Sequence, residues 1–392
     1  MEKKGWVKKK LGEVCEVSDY VANGSFATLK ANVEYKQTKD FAILVRLADY
    51  TNKFNEDKFV YIDEHAYNFL AKSKLFGGEI IISNVGSVGK LFICPDLKSP
   101  MSLAPNTIVV KTSYNKFFYH YFKSSSFQGK LKGITSQTAL PKFNKTEFKK
   151  LSINMPPLTE QQQIVSELDC LQGIIDKKKE QLQELDKLAQ SIFYTMFGEC
   201  NSYLALSNYI NSLNGGKSLA SEEDNNNKVL KTSSVSSGFF KENEFKNLPT
   251  DYIPRKEHKV NVGDLLISRM NTPELVGTCA YVWHVNPNVF LPDRLWKATL
   301  FLDKVNPIFL WFALRQYSIR EQIKKNSSGT SGSMKNISKS SLLKIKIHDV
   351  PLVIQQEFAD KITAIEQQKT RIQQSLQDTE TLFNSRMDYY FG

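Results

Sequence analysis

Apolar residues after Leu158 fall at alternating steps of four and three: Ile164, Leu168, Leu171, Ile175, Leu182, Leu185, Ala189, Ile192 and Met196, with Lys178 as the one interruption. That spacing predicts a long helix over residues 158–197 with a narrow apolar seam, which gains stability only when another helix covers it. The same spacing returns over residues 352–391, through Phe358, Ile362, Ile365, Ile372, Leu376 and Phe383, with polar breaks at Lys369, Thr379 and Arg386. The chain therefore reads as a tandem duplication, and the simplest cover for each seam is the other copy. At about 1.5 Å per residue each helix would reach roughly 60 Å, longer than a small domain is wide. One such stripe alone would be ordinary core. Two matching stripes, each placed after a globular segment, read as a spacer.

Shorter patterns fill the rest. Residues 1–155 read as an α+β domain: a strand-like run at 41–47, apolar strands at 79–83 and 91–94 around a tight turn, an extended run at 106–111 and an aromatic helix at 116–127. A polar loop at 133–142 and a last strand at 148–153 lead to Pro156 and Pro157. Thr159 with Gln162 would then cap the helix as a capping box. Residues 199–349 repeat the order: 263–268 answers 78–83, and 327–335 answers the polar loop. Val353 stands where Thr159 stands, so the second helix needs another starting device, for which Asp349 is the candidate. Residues 215–249 have no close counterpart in 25–61, so one scaffold is expected to carry two different surfaces. The expected fold is α+β, with globular domains at 1–155 and 199–349 and spacer helices at 156–198 and 350–392.

Composition narrows the partners. A formal charge of +11 favours a polyanion, because cations that neutralise phosphates release counterions. The five cysteines are scattered and fit neither a disulfide framework nor a CxxC metal site, so no metal or cofactor is expected. Apolar runs are too short to cross a bilayer and the first residues do not read as a signal peptide, so no membrane partner and a cytoplasmic location are expected.

Catalytic signatures are weak. Residues 216–218 end like a phosphate-binding loop, but Asn211 occupies the position that needs glycine. Residues 154–158 resemble the base-gripping loop of amino-methyltransferases, yet Met155 intervenes and Leu158 replaces the stacking aromatic. Two large domains without a catalytic constellation read as a binder.

The order of the parts carries a resemblance. A variable domain, a long helix opening with PPLTEQQQIV, a second variable domain and a second helix opening with VPLVIQQEF, together with the paired GEIIIS and GDLLIS strands and the endings at Phe197 and Phe391, resemble the DNA specificity subunit of type I restriction-modification systems over essentially the whole chain. The resemblance implies two target-recognition domains in tandem, separated by the two long helices as an antiparallel coiled coil, each domain reading one half of a bipartite sequence in double-stranded DNA. It also implies docking of two adenine-methylating modification subunits and two restriction subunits, with no catalysis by the chain itself. The alternatives are a specificity partner of a type II methyltransferase-nuclease, a coiled-coil scaffold without sequence readout, and a nuclease acting alone.

Arg and Lys read guanine, Asn and Gln read adenine, and Ser, Thr and Lys commonly hold phosphates. On that basis the DNA-contacting candidates of the first domain are Ser25, Lys30, Asn84, Ser87, Lys90, Thr135, Ser136, Gln137 and Lys142. Those of the second are Lys217, Lys231, Ser233, Ser234, Arg269, Asn271, Arg294, Ser328, Thr330 and Lys335. All are expected on loops. Lys177, Lys178 and Lys179 are expected to be a solvated helix face.

Overall fold

The computed structural model describes residues 5–329 and 334–392; Thr330 lies outside them. The chain forms two compact units, Met1–Lys179 with Gln374–Gly392, and Glu180–Gln373. Each long helix thus contributes to both units.

In the first unit a four-stranded antiparallel sheet runs in the order Glu16–Asp19, Thr107–Lys111, Ile80–Ser83, Leu91–Ile93. Its central strands carry unbroken apolar runs, 80–82 and 108–110, because both faces are covered. Ile80, Ile82, Ile108 and Val110 pack against Phe117, Phe118 and Phe122, while Ile81 and Val109 face a second core with Met101 and Leu103. A second sheet carries Tyr61–Ile62, Ala42–Val45, Met101–Leu103 and Lys74–Leu75 in that order. The expected single aromatic helix is two, Asn115–Lys123 and Ser125–Gly133, because extended Ser124 breaks the first and its Oγ accepts from Phe127 N to cap the next. The expected last strand is also divided. Asn144 caps a helix, Lys145–Lys150, and only Ser152–Met155 is extended, paired with Val7–Lys10.

The second unit repeats this topology: Ile210–Gly215, Leu295–Leu300, Leu265–Ser268 and Cys279–Tyr281 form its four-stranded sheet in the same order. The divergence expected of residues 215–249 is one of sequence and not of scaffold. Lys228–Leu230 runs parallel to Val289–Phe290 and antiparallel to Phe245–Asn247, as Ala42–Val45 does to Met101–Leu103 and Tyr61–Ile62.

The helices Leu158–Phe197 and Leu352–Phe391 are forty residues each. The first begins by a device other than the expected capping box, and the second by one other than the expected Asp349. Thr159 lies inside its helix, and the buried Gln161 reaches back to donate from Nε2 to Pro156 O at 2.9 Å. Gln355, at the matching place, donates to Val350 O at 2.7 Å and to Lys304 O at 3.2 Å, and its Oε1 accepts from Asn306 N at 2.8 Å. Asp349 serves elsewhere, accepting from Tyr209 Oη. Replacing Gln355 by alanine leaves three backbone groups without these partners and is expected to cost about 1–3 kcal/mol. The check is a denaturant melt: the Gln355→Ala midpoint should fall further than that of Gln161→Ala, and an equal fall would contradict this role.

Pairing between the long helices is antiparallel in each unit. In the first, Glu167 meets Arg386 while Lys178 meets Ser375 and Thr379; in the second, Asp186 meets Lys369 while Phe193 meets Phe358. Each polar break in the seam finds a partner on the facing helix. Lys178 donates to Thr379 Oγ1 at 2.8 Å, and the buried Lys369 donates to Asp186 and Glu366, each at 2.8 Å. Arg386 forks onto Glu167, whose carboxylate also accepts from Tyr390 Oη, and these bonds hold the Glu167 carboxyl below its usual range. Polar groups at seam positions fix register at some cost in stability. The lysine run is accordingly not just a solvated face, since Lys179 also pairs with Glu380 at 2.8 Å.

The seam also seals the globular cores. Ile164, Leu168, Ile175 and Phe383 are buried in the first unit's core, where Leu171 and Leu376 pack against it. Phe358, Ile362 and Ile365 are buried in the second, with Leu185 and Ile192 against it. Leu182 and Ile372 are half-buried. Aromatic ends lock each helix down: Phe391 lies 5.6 Å from Phe117, and Phe197 lies 5.1 Å from Phe309.

Candidate nucleic-acid interface

Each central strand ends in a three-way backbone junction. In the first unit the strand Ile80–Ser83 runs into Asn84, whose N–H donates to Asn106 O and whose carbonyl accepts from Phe143 N, both at 3.1 Å. Gly86 N donates to Pro141 O at 2.9 Å, and Ser136 N to Lys142 O at 2.9 Å. Three loops, around residues 84–90, 104–107 and 134–143, are thereby brought together.

The second unit makes the same junction from different residues. Arg269 N donates to Arg294 O at 3.0 Å and Arg269 O accepts from Ile337 N at 3.0 Å. Arg269 therefore stands where Asn84 stands, and Arg294 where Asn106 stands. The turn after the strand is pinned at matching points as well: Gly89 N donates to Ser83 O at 3.0 Å, and Gly277 N to Ser268 O at 2.7 Å. Both glycines have positive φ, and a Cβ at Gly277 would lie 2.4 Å from Ile323 Cγ2, so the anchor demands glycine. Between these anchors the second loop is longer, and its tip is held by Arg320 Nη2 to Glu274 O at 3.0 Å and Lys324 Nζ to Glu274 Oε1 at 2.5 Å.

Around the first junction Ser87, Lys90, Gln137 and Lys142 are exposed. Other candidates there are organisers of the loops. Asn84 Nδ2 donates to Phe143 O at 3.3 Å, Thr135 Oγ1 to Leu131 O at 2.7 Å, and Ser136 Oγ accepts from Lys142 N at 3.1 Å. Ser25 and Lys30 lie apart in their bonding, on the helix Phe26–Asn32, where Ser25 Oγ accepts from Thr28 N as the cap.

At the second junction Arg294 and Ser328 are exposed, and Asn271 and Lys335 face each other across a short antiparallel ribbon. Arg269 is half-buried, its Cζ 5.7 Å from the centre of the Trp296 ring, which aims the guanidinium. Lys217 is exposed near Tyr252. Lys231 sits 3.7 Å from Glu244, to which Ser233 Oγ donates at 2.7 Å. Ser234 is fully buried beneath its turn and cannot reach DNA. The expectation that all candidates sit on loops fails for Lys30 on a helix, Ser233 and Ser234 in a helical turn, and Asn271 and Lys335 in strands. Asn106, exposed and in the left-handed region at φ +68°, was missed. Its signal is the Pro105–Asn106 turn ahead of a strand, since asparagine tolerates that conformation best among non-glycine residues.

Three of the five thiols, Cys15, Cys94 and Cys279, are buried, while Cys170 is exposed. Burial pushes Cys15 and Cys94 up to about 12 and Cys279 up to about 11, so they stay protonated at neutral pH. Among the described residues no group of three or more His, Cys, Asp or Glu could hold a metal ion, and no helix is long and apolar enough to cross a membrane.

Comparisons with known proteins find the duplication again. The family model for the type I restriction modification DNA specificity domain matches residues 3–187 and again 207–379. The type I restriction enzyme EcoKI specificity subunit of Escherichia coli strain K12 is 24% identical over 345 residues, covering 78% of this chain and 73% of that protein. The solved S subunit of a type I restriction-modification system from M. genitalium shares the fold, with a TM-score of 0.60 at 14% identity, over 99% of this chain and 96% of that one. A chain from a structure of complex assembly and conformational transition in the type I system has a TM-score of 0.53 at 16% identity, covering 99% and 98%.

Proposed function

Because the chain belongs to the type I restriction modification DNA specificity family, carrying its domain twice, we propose that each of its two strand-end junctions reads one half of a bipartite DNA target. The observation that carries this reading is the repeated backbone junction with replaced side chains, Asn84 and Asn106 in one unit against Arg269 and Arg294 in the other. A scaffold kept while its tips change suits two unlike words, whereas one repeated surface would demand a palindrome.

Within this reading, domains at 1–155 and 199–349 recognise, and the helices at 156–198 and 350–392 set the interval between half-sites. Arg269 and Arg294 supply guanine-reading donors, Gln137 and Asn271 adenine-reading amides, and Lys90, Lys142 and Lys335 phosphate contacts. Two modification subunits and two restriction subunits supply methylation and cleavage, and the chain performs no reaction itself. The solved assembly of a type I system supports partners of this kind.

The test is selection from a pool of randomised duplexes by the full chain together with a modification subunit. The expected product is one asymmetric, interrupted motif. Equal affinity for every sequence at fixed salt would overturn the reading.

A further inference from the structure

Beside each junction lies a cleft, and the two clefts occupy the same place in the repeated scaffold. The first, of about 510 Å³, is lined by Tyr35, Gln37, Arg46, Ser87 and Asn106 among others. The second, of about 310 Å³, is lined by Lys231, Thr232, Lys246, Asp293 and Arg294 among others.

Backbone bonds establish the correspondence. Lys36 N donates to Tyr61 O at 2.9 Å, and Ser221 N to Asn247 O at 3.0 Å. Tyr61 pairs with Ile43 as Asn247 pairs with Lys228, and Ile43 runs beside Met101 as Lys228 runs beside Val289. After each strand a tight turn closes with the same bond, Asp49 N to Arg46 O and Ser234 N to Lys231 O, both at 3.1 Å. Arg46 thus stands where Lys231 stands, as Asn106 stands where Arg294 stands.

Buried apolar side chains form part of each wall, Leu44, Val60 and Ala104 in the first and Val229 and Leu230 in the second. Here each cleft carries a basic side chain at the opening of the turn, and each is steadied by an acid. Arg46 donates through Nε at 3.2 Å and Nη2 at 2.6 Å to Asp49, and through Nη2 to Lys58 O at 2.7 Å. That leaves Nη1 without a partner among the described residues, held in a fixed direction. Lys231 is steadied more loosely by Glu244 at 3.7 Å. Gln37 is exposed at the rim, with no side-chain partner among the described residues. A preoriented guanidinium and a free amide are the side chains that distinguish guanine from adenine by their groove edges.

We propose that the paired clefts receive the base edges of the two half-sites, and that Arg46 and Gln37 are specificity-determining residues of the first. Lys231 and Lys246 play the corresponding part in the second. The inference deepens the proposed reading and rests on it.

The full chain, with a modification subunit, is assayed for binding to its own selected duplex and to all single-base variants of it. Arg46→Ala is expected to lower discrimination at one or two adjacent positions of one half-site by about 5- to 150-fold, with the other half-site unchanged. Gln37→Ala, which removes no internal bond, should loosen a position in that same half-site and carries the test should Arg46→Ala fail to fold. Unchanged discrimination in the folded variants, or an equal loss for every sequence, would overturn the inference while leaving the proposed function standing. A wild-type chain that selects no sequence would overturn both.

Discussion

A chain lengthened by one heptad in both long helices, after Lys179 and after Gln373, is expected to direct its modification partner to a motif with the same two words and a wider gap. These are the points where the helices pass from one unit to the other. Seven residues keep the seam in phase and add about 10 Å, or about three base pairs of duplex. The register bonds survive because they lie on either side of the insertions: Lys178 stays with Ser375 and Thr379, and Lys369 stays with Asp186 and Glu366. Insertion into one helix alone would part these sets from each other, and a stable product with an altered gap is not expected from it. A gap unchanged by the double insertion, read from mapped methylated adenines, would contradict the spacer.

Replacing Arg269 by alanine should relax the sequence preference of one half-site and spare the other. Its backbone anchors, to Arg294 and Ile337, do not depend on the side chain, so the junction is retained. The loss of its contact with Trp296 should cost no more than about 1 kcal/mol of stability. Losing a base-reading donor should lower discrimination at its position by about 1–3 kcal/mol. The same single-base binding series measures it. A uniform drop in affinity would assign Arg269 to a phosphate instead.

Much of this architecture was legible because it is written in periods. The four-three spacing marked both long helices, and the positions that broke it, Lys178, Lys369, Thr379 and Arg386, proved to be paired across the seam. The starting device was not legible. The capping box from Thr159 is a local rule, whereas Gln161 and Gln355 act through burial against carbonyls that only the folded chain brings near. Helix breaks at Ser124 and Asn144 were missed for a related reason: a side-chain cap restarts a helix without changing the apolar pattern. The candidate interface was half legible. Arg269 and Arg294 lie on strand ends that the repeat identifies, but Ser234 is buried, and Arg46 and Asn106 enter only through hydrogen bonds between segments distant in sequence. The shared scaffold between residues 215–249 and 25–61 was invisible because it resides in backbone pairing, which leaves side chains free to differ.

On the proposed reading, one duplicated scaffold addresses two unlike DNA words at a set interval. Long-read mapping of methylated adenines, in cells making this chain with its modification partner, tests it most directly. The expected result is a single asymmetric motif of two different short words around a fixed run of unread bases. One uninterrupted word, a palindrome, or methylation without any motif would contradict it.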